Sequence, residues 1–278
     1  GLGELRPGKT EWNDIPAFAP LYSSMVHREP MYQRMANGEY SPVKDSFLNV
    51  RERDSKVVGT VKGKYTILQS LEAASIVKPL IDAGVVSVDN VFTLKEGKMA
   101  IMVLRWNAKD DSPDPVHKFL SINNSFDGSA PLQVFFGAIR EVCANTVRAA
   151  VSAADNMMVI RHTESSEEKL KAAKKMVENG KEYFTKMDRI FSEMKTKTFT
   201  IDQLIEVTKK VFKMKEGEDV SKKTITTNAN LLKEIIRLTE EGKGVDLPGV
   251  KGTAWGAFNA ISEYTDHYST LKIHGTNG

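Results

Sequence analysis

Cysteine is almost missing from this sequence. Cys143 is the only one among 278 residues, so the chain cannot form an internal disulfide and lacks the thiolates of a multi-cysteine zinc or iron–sulfur site. A single free cysteine is typical of proteins that work in a reducing compartment. We therefore predict a cytoplasmic protein that is held together by a hydrophobic core.

Long apolar runs are missing too. The longest ones, such as MAIMVLRW, are far shorter than the ~20 residues that a helix needs to cross a bilayer. The first residues, GLGELRPGKTEW, are charged and have no apolar centre of the kind that a signal peptide requires. We expect no membrane span, no signal peptide and no membrane partner.

Several catalytic and cofactor motifs are also missing. The sequence contains no Gly-x-Gly-x-x-Gly, no His-Glu-x-x-His and no Gly-x-Ser-x-Gly. Its histidines lie far apart, at positions 27, 117, 162, 267 and 274, so their spacing gives no support for a metal site. We predict no metal and no cofactor.

The net charge is small. The chain has 39 Lys and Arg against 36 Asp and Glu, which gives a formal net charge of +3. Contact with nucleic acid would therefore need a local basic patch, because the chain as a whole is close to neutral. The 41% hydrophobic and 27% charged residues are ordinary for a globular protein.

The first half of the chain has the pattern of an α+β protein. Prolines and aromatics interrupt residues 1–45, which we interpret as an N-terminal arm, either wrapped on the protein or partly disordered. Alternating segments then surround Arg-Asp-Ser-Lys and Lys-Glu-Gly-Lys turns, which predicts two β-hairpins. A short amphipathic helix that ends at Gly84 separates them. We predict an antiparallel, β-rich core domain with one or two helices over residues 46–163.

The second half has a helical pattern, and residues 164–278 are predicted to form a helical region with one long helix. That helix carries apolar or small residues at steps of three and four, typical of a heptad seam; they are Leu170, Ala173, Val177, Gly180, Phe184, Met187, Phe191 and Met194. The seam would pack on later helices of the same chain or pair with another chain. Between the two halves, APLQVFFGAIREV fits a strand or a buried helix, and the alanines of CANTVRAAVSAA favour a helix.

A basic hairpin is the strongest local charge feature. Residues 51–65 carry five cations against Glu52 and Asp54, a local charge of +3. A two-stranded basic ribbon can contact phosphates, and an aromatic side chain can stack on bases; an ordinary solvated strand face is the alternative. The predicted nucleic-acid-binding residues are Arg51, Arg53, Lys56, Lys62, Lys64 and Tyr65, with Arg140, Arg148 and Arg161 from elsewhere in the chain.

A polar motif follows in the middle of the chain. In Asp127-Gly128-Ser129, the carboxylate can accept backbone amides and the glycine can adopt a positive φ, so the tripeptide indicates a turn. Cys143 is predicted to be a small buried hydrophobe, because no histidine lies beside it in sequence. An active site in which Asp127, His162 and Cys143 converge is the enzymatic alternative.

Several stretches, taken in order, resemble one protein family. KYTILQSLEA, NNSFDGSAPLQVFFGAIREVCANT, IRHT and GTAWGAFNAISEYTDH are similar to segments of the phage/plasmid-like proteins, whose shared region is called domain of unknown function nine-three-two. The resemblance covers the chain roughly from Trp12 to His267. Typical members have His before Asp-Gly-Ser, whereas this chain has Phe126, so a role of that histidine does not transfer.

The resemblance implies a common core but no catalytic residue. The residues that match its motifs, and that we expect to form this core, are Asp127, Gly128, Ser129, Arg140, Cys143, Asn145, Thr146, Arg161, His162 and Thr163. It also implies an origin in a phage or plasmid and thus a location in the cytoplasm of a bacterial host.

Three functions are compatible with these features. The first is a non-enzymatic, homo-oligomeric protein that binds nucleic acid, in particular single-stranded DNA, as a recombination, annealing or replication accessory factor. The second is an enzyme that acts on nucleic acid or nucleotides through Asp127 and His162. The third is an anti-host-defence or structural factor that binds a protein partner through the heptad helix.

Overall fold

The computed structural model describes residues 11–107, 112–140, 145–147, 157–163, 166–215, 217 and 220–268. The fold is α+β, with antiparallel sheets in the N-terminal half and helices in the C-terminal half, as predicted. The described strands are β1 (Val26–Arg34), β2 (Tyr40–Arg51), β3 (Lys56–Val61), β4 (Val86–Leu94), β5 (Met99–Trp106), β6 (Val116–Ser125), β7 (Leu132–Arg140), β8 (Asn145–Val147) and β9 (Met157–Ile160).

The described helices are short in the first half and longer in the second. They are α1 (Ile15–Phe18), α2 (Pro20–Ser23), α3 (Ser70–Ala74), α4 (Lys78–Asp82), α5 (Ser166–Glu178), α6 (Gly180–Thr196), α7 (Ile201–Val211), α8 (Lys222–Glu241) and α9 (Ala254–Glu263). Among the residues the structure describes, none of these helices has the length and apolarity to cross a bilayer.

The chain folds into two compact units, and each unit is formed by three separate segments of the sequence. The first contains residues 1–109, 118–137 and 151–183, and the second contains residues 110–117, 138–150 and 184–278. The predicted boundaries after residues 45 and 163 stay predictions. Residue 45 lies inside β2, and residue 163 lies inside the first unit.

A three-stranded antiparallel sheet in the first unit contains the predicted basic hairpin. Its strand order is β1-β2-β3, and residues 52–55 form the turn between β2 and β3. The predicted arm therefore contributes a whole strand, β1, and half of β2 to this sheet. Beyond Phe47, where β3 has ended, β1 and β2 continue alone as a two-stranded ribbon that closes at residues 35–39.

The second sheet has the strand order β4-β5-β6-β7-β8, and β9 also pairs with β7. The predicted hairpin around Lys-Glu-Gly-Lys is confirmed as β4 and β5. Within the ambiguous segment APLQVFFGAIREV, residues Leu132–Arg140 form strand β7, and alternate side chains of this strand enter the core. Asn145–Val147 is strand β8, paired with Ala138 to Arg140, so the helix prediction is wrong at these three residues.

The heptad seam lies on two consecutive helices. A turn residue, Asn179, separates α5 from α6, where the sequence pattern predicted one long helix. The seam residues Ala173, Val177, Phe184, Met187 and Phe191 are buried within this one chain. The predicted packing on later helices of the same chain is found for Phe191, whose ring contacts Trp255 of α9. Helix α5 instead contacts earlier elements, the 3₁₀ helix Ser75–Val77 and β9.

Capped helices and a small apolar cluster complete the second unit. Thr200 begins α7 with a capping box, in which its hydroxyl accepts from the Gln203 amide and the Gln203 side chain accepts from the Thr200 amide. The cluster is formed by α7, α8 and α9 and contains Leu204, Leu231, Ile235, Leu238, Ala257 and Ala260.

Candidate nucleic-acid interface

The Asp-Gly-Ser motif is a turn, and it serves as a contact for the three-stranded sheet. Asp127 Oδ1 accepts a hydrogen bond from the Ser129 amide at 2.9 Å, and Gly128 has a φ of +72°. Asn49 Nδ2 donates to the Phe126 carbonyl at 2.6 Å, and a side chain at Gly59 would collide with the same carbonyl oxygen. The turn is therefore a scaffold that β2 and β3 approach closely.

Arg140 lies in a buried ion pair within the second unit. Its Nε donates to Asp114 Oδ1 at 2.6 Å, and both side chains are 1% exposed. Its Nη1 and Nη2 donate to the carbonyls of Lys243 and Gly244, and the indole of Trp255 donates to Asp114 Oδ2 at 2.7 Å. Such a guanidinium has no exposed nitrogen to offer a phosphate, and we leave Arg140 out of the interface.

His162 and Tyr65 form a stacked pair in the first unit. Their ring centroids are 4.7 Å apart, Tyr65 Oη donates to the Ser125 carbonyl at 2.7 Å, and His162 Nδ1 lies 3.1 Å from the Thr66 carbonyl. Burial lowers the pKa of His162, while burial and the negative charge of Asp127 raise the pKa of Tyr65. The hydroxyl of Tyr65 thus binds the backbone at Ser125, and one face of its ring is already covered by the His162 imidazole.

The remaining residues of the motif core are placed in part. Arg161 is exposed and Thr163 is half-buried. Asn145 and Thr146 lie on β8. The predictions for Cys143 and Arg148 fall outside the described residues, so the proposed convergence of Asp127, His162 and Cys143 is not tested.

The predicted basic hairpin keeps only some of its cations at the surface. Arg51 is only 3% exposed. Its guanidinium donates to the Asp54 carboxylate in the hairpin turn and to the Glu96 carbonyl. Lys56 pairs with Glu96 at 2.6 Å. These contacts lower the pKa of both carboxyls, that of Asp54 mainly through Arg51 and that of Glu96 mainly through Lys56. The exposed cations of the hairpin segment are Arg53, Lys62 and Lys64.

A second basic surface lies on the part of the sheet that was predicted to be an arm. Successive residues of a strand alternate between its two faces, so Arg28, Pro30, Tyr32 and Arg34 share one face of β1. All four are exposed. The paired residues of β2 lie on the same face, with Pro42 opposite Tyr32 and Tyr40 opposite Arg34.

We call this surface the ribbon face and define it as Arg28, Pro30, Tyr32, Arg34, Tyr40 and Pro42. Its tyrosines are unusually exposed, Tyr32 at 55% and Tyr40 at 70%. From Arg28 to Arg34 the strand extends about 20 Å at ~3.3 Å per residue. It therefore presents two planar rings and two guanidinium groups along one line.

Charge differs between the two faces of β1. The ribbon face has Arg28 and Arg34 and no carboxylate at its paired positions, whereas the opposite face carries His27 and Glu29, which contact each other at 2.8 Å. At the closed end, the Glu39 carboxylate accepts from Asn37. The ribbon face is thus the more cationic side of this strand.

The sequence contains one further pattern that is not among the motifs above. Residues 3–10, GELRPGKT, have the spacing of a phosphate-binding loop, Gly-x-x-x-x-Gly-Lys-Thr. They lie outside the described residues. Such a loop leads into a helix, but the next described elements are a three-residue 3₁₀ helix, Trp12–Asp14, and the four-residue α1. We assign no nucleotide site to this match.

Metal chemistry has no support within the described ranges, where no group of three or more His, Cys, Asp or Glu is arranged to hold an ion. No curated protein and no solved structure matches the chain. A family model does match, over residues 57–277, from the second residue of β3 onwards. Since this match covers most of the sequence, the chain belongs to the family described as Domain of unknown function (DUF932).

Proposed function

We propose that the protein binds single-stranded nucleic acid, DNA in particular, along the ribbon face. It would do so without catalysis, as a homo-oligomeric recombination, annealing or replication accessory factor. Its setting would be the cytoplasm of a bacterial host, with a phage or plasmid as the source of the gene. The observation that carries the proposal is the line of exposed Tyr32 and Tyr40 beside Arg34.

Exposed tyrosines suit unpaired bases. Each base has a π-face, so stacking on an aromatic ring is tolerant of sequence and contributes roughly 1–3 kcal/mol per base. In a duplex both faces of a base are already covered by its neighbours, which leaves the two rings without a surface to stack on. The ribbon face therefore favours single strands over duplexes.

Exposed cations supply the second half of the interaction. Arg34, Arg53 and Lys64 have no hydrogen-bond or ion-pair partner among the described residues. Each can neutralise a phosphate and release a counterion. Predicted binders such as Arg51 and Arg140 lie inside the protein, so the proposed phosphate contacts come from the ribbon and the exposed turns.

We do not extend the proposal to an enzyme. Asp127 is engaged by the Ser129 amide, and His162 is stacked and hydrogen-bonded. The other imidazole nitrogen of His162, Nε2, is buried and has no hydrogen-bond partner in the described part of the chain, so it does not face an open site. A protein partner for the heptad helix is likewise not proposed, since the seam residues are buried within the chain.

Fluorescence anisotropy with a labelled oligothymidylate tests the proposed function. The wild-type protein should bind at low salt and lose affinity steeply as salt rises, with a log–log slope of about −0.7 per phosphate contact. Tyr32→Ala and Tyr40→Ala should each weaken binding by roughly 1–3 kcal/mol. Duplex DNA of the same length should bind less tightly than the single strand.

A matched control is Tyr268→Ala, which removes another exposed tyrosine from outside the ribbon. It should leave affinity unchanged. Absence of binding to any single strand at low salt would refute the proposed function. Equal losses in all three tyrosine variants would instead show that the ribbon face is not the binding surface.

A further inference from the structure

A pocket lies at the base of the ribbon face, beside Arg28. It has a volume of about 320 Å³ and is lined by Arg28, Gly63, Lys64, Tyr65, Thr66 and Ile67. This volume is at the lower end of the range for small-molecule sites. The ligand it can take is therefore a small one, such as a phosphate with part of a sugar.

Neighbouring groups hold the Arg28 side chain in place but use only some of its hydrogen-bond donors. Its Nη1 donates to the Gly63 carbonyl at 3.0 Å and to the Tyr65 carbonyl at 3.1 Å, and its guanidinium lies 4.6 Å from the centre of the Phe47 ring. Within the described residues, Nε and Nη2 make no hydrogen bond. The guanidinium is thus oriented in advance and keeps donors for a ligand.

The polypeptide around the pocket is also fixed. The Tyr65 amide donates to the Lys62 carbonyl at 2.9 Å, and the Gly63 amide donates to Asp45 Oδ1 at 2.8 Å. The Thr66 amide donates to the His162 carbonyl at 3.1 Å, beneath the stacked Tyr65 and His162 rings. A preorganised site of this kind loses little entropy when it binds a ligand.

The charges near the pocket favour an anion. Arg28 and Lys64 both line it, and the Lys64 ammonium has no partner among the described residues. Two carboxylates lie in the vicinity. Asp45 accepts the Gly63 amide, and Asp127 is close enough to Tyr65 to raise the pKa of its phenol, after the larger effect of burial. Both carboxylates make backbone hydrogen bonds, and neither Asp45 nor Asp127 is among the residues that line the cavity.

We propose that this pocket binds a phosphomonoester, the terminal phosphate of a nucleic-acid strand that lies on the ribbon face. A terminal phosphate carries a charge of about −1.5 to −2 at neutral pH, whereas an internal phosphodiester carries a single charge. A cavity lined by two cationic residues therefore favours the strand end. Arg28 belongs both to the pocket and to the ribbon face, so one strand can reach both sites. This inference rests on the proposed single-strand binding.

The test compares oligothymidylates that differ only at their ends: 5′-phosphate, 3′-phosphate and hydroxyl at both ends. One of the phosphorylated strands should bind about tenfold more tightly than the hydroxyl strand, as one added charge-assisted hydrogen bond would give. Arg28→Met and Lys64→Met should abolish that preference. Arg28→Lys, which keeps the charge, should retain part of it, and Arg53→Met, which removes an exposed cation from the other end of the hairpin, should retain all of it.

The outcomes separate the two proposals. Equal affinity of all three strands for the wild type overturns the pocket assignment and leaves the ribbon face intact. No affinity for any strand overturns the proposed function and the strand-end assignment with it. Competition by thymidine monophosphate and by inorganic phosphate tests whether the pocket recognises a nucleotide phosphate or any free phosphate. If both displace the phosphorylated strand no better than they displace the hydroxyl strand, the pocket does not recognise a phosphomonoester.

Discussion

Two regions of the first unit place their side chains in opposite ways. At the turn of Asp127 and Ser129, polar groups make hydrogen bonds with the backbone: Asp127 accepts from the Ser129 amide, and Asn49 donates to the Phe126 carbonyl. On the ribbon face, Tyr32 and Tyr40 extend into solvent, where they contribute little to the core. The turn lies inside the region matched by the family model, and the ribbon face lies before it.

The difference shows what each kind of residue is for. A buried polar group costs free energy unless it is hydrogen-bonded, so the bonds at the turn and at Arg140 account for residue types that otherwise look catalytic. An exposed aromatic ring gains almost nothing in stability. The folded structure therefore explains the distinctive motif, and it leaves the tyrosines of the ribbon to be explained by binding.

The largest expected effect of a single substitution is at Arg140. Arg140→Met leaves Asp114 buried with the Trp255 indole as its remaining side-chain donor among the contacts described, and should cost about 3–5 kcal/mol of unfolding free energy. Urea denaturation measures the loss. The double variant Arg140→Met with Asp114→Leu should be more stable than Arg140→Met alone, because it removes the uncompensated charge. If both variants keep wild-type stability, the ion pair is not part of the scaffold.

The second effect concerns the close approach of β3 to the turn. A methyl group at Gly59 meets the Phe126 carbonyl, so Gly59→Ala should lower the unfolding free energy by about 1–3 kcal/mol through overpacking. Thr60→Ala, an exposed position on the same strand, should change it by less than about 0.5 kcal/mol. Similar denaturation midpoints for the two variants would contradict the scaffold role of the turn.

A smaller effect is expected on the ribbon face. Arg34→Met should leave stability within about 0.5 kcal/mol of the wild type. It should also reduce the magnitude of the log–log salt slope for single-strand binding by about 0.7, the contribution of one phosphate. An unchanged slope removes Arg34 from the interface. Lys56→Met, at a cation paired with Glu96, is the matched control and should change the slope less.

The smallest effect is a pH dependence at His162. Burial lowers the pKa of His162 in the folded protein, so its neutral form is favoured there, and the unfolded chain takes up the proton first as pH falls. Its contribution to stability is therefore present above pH ~6.5 and is lost as pH falls through the folded-state pKa. His162→Phe should show a weaker decline in unfolding free energy between pH 7.5 and 5 than the wild type. Parallel declines would contradict this.

Local chemistry made part of the fold predictable. The hairpin turns after Arg51 and after Leu94 follow from alternation and turn residues that lie within a few positions of each other. Helices α7 and α9 begin at Thr200 and Thr253, whose hydroxyls cap them. These signals need no knowledge of distant partners, and the two predicted hairpins are confirmed.

The rest depended on partners that are remote in sequence. The alanines around β8 favour a helix, but pairing with β7 decides its structure. The burial of Arg51 rests on the Glu96 carbonyl and that of Arg140 on Asp114, which lie 45 and 26 residues away. A basic residue in a polar motif gives no sign in the sequence of which side it will face.

The ribbon face was missed because of its prolines. Pro30 and Pro42 argued against strands, since proline cannot donate to a sheet ladder. Both prolines lie on strands that have a neighbouring strand on one side only. Strand β1 is at the edge of the sheet, and the pairing of β2 with β3 ends at Phe47, before Pro42 is reached. An edge proline also hinders unwanted strand pairing.

The register shift between β1 and β2 gives the ribbon face an unequal tolerance to insertions. Between the pairs Pro30–Phe47 and Tyr32–Pro42, residues 43–46 of β2 lie opposite Met31 alone. The irregular backbone can accommodate a residue added among those four, and the side chains of Tyr40 and Pro42 then stay on the same face of the ribbon. A residue added to β1 between Arg28 and Tyr32 would send Tyr32 and Arg34 to the opposite face from Arg28, because the side-chain period is two. Insertions into β1 should therefore disturb the alignment of Tyr32 with the pocket at Arg28 more than insertions into residues 43–46 of β2.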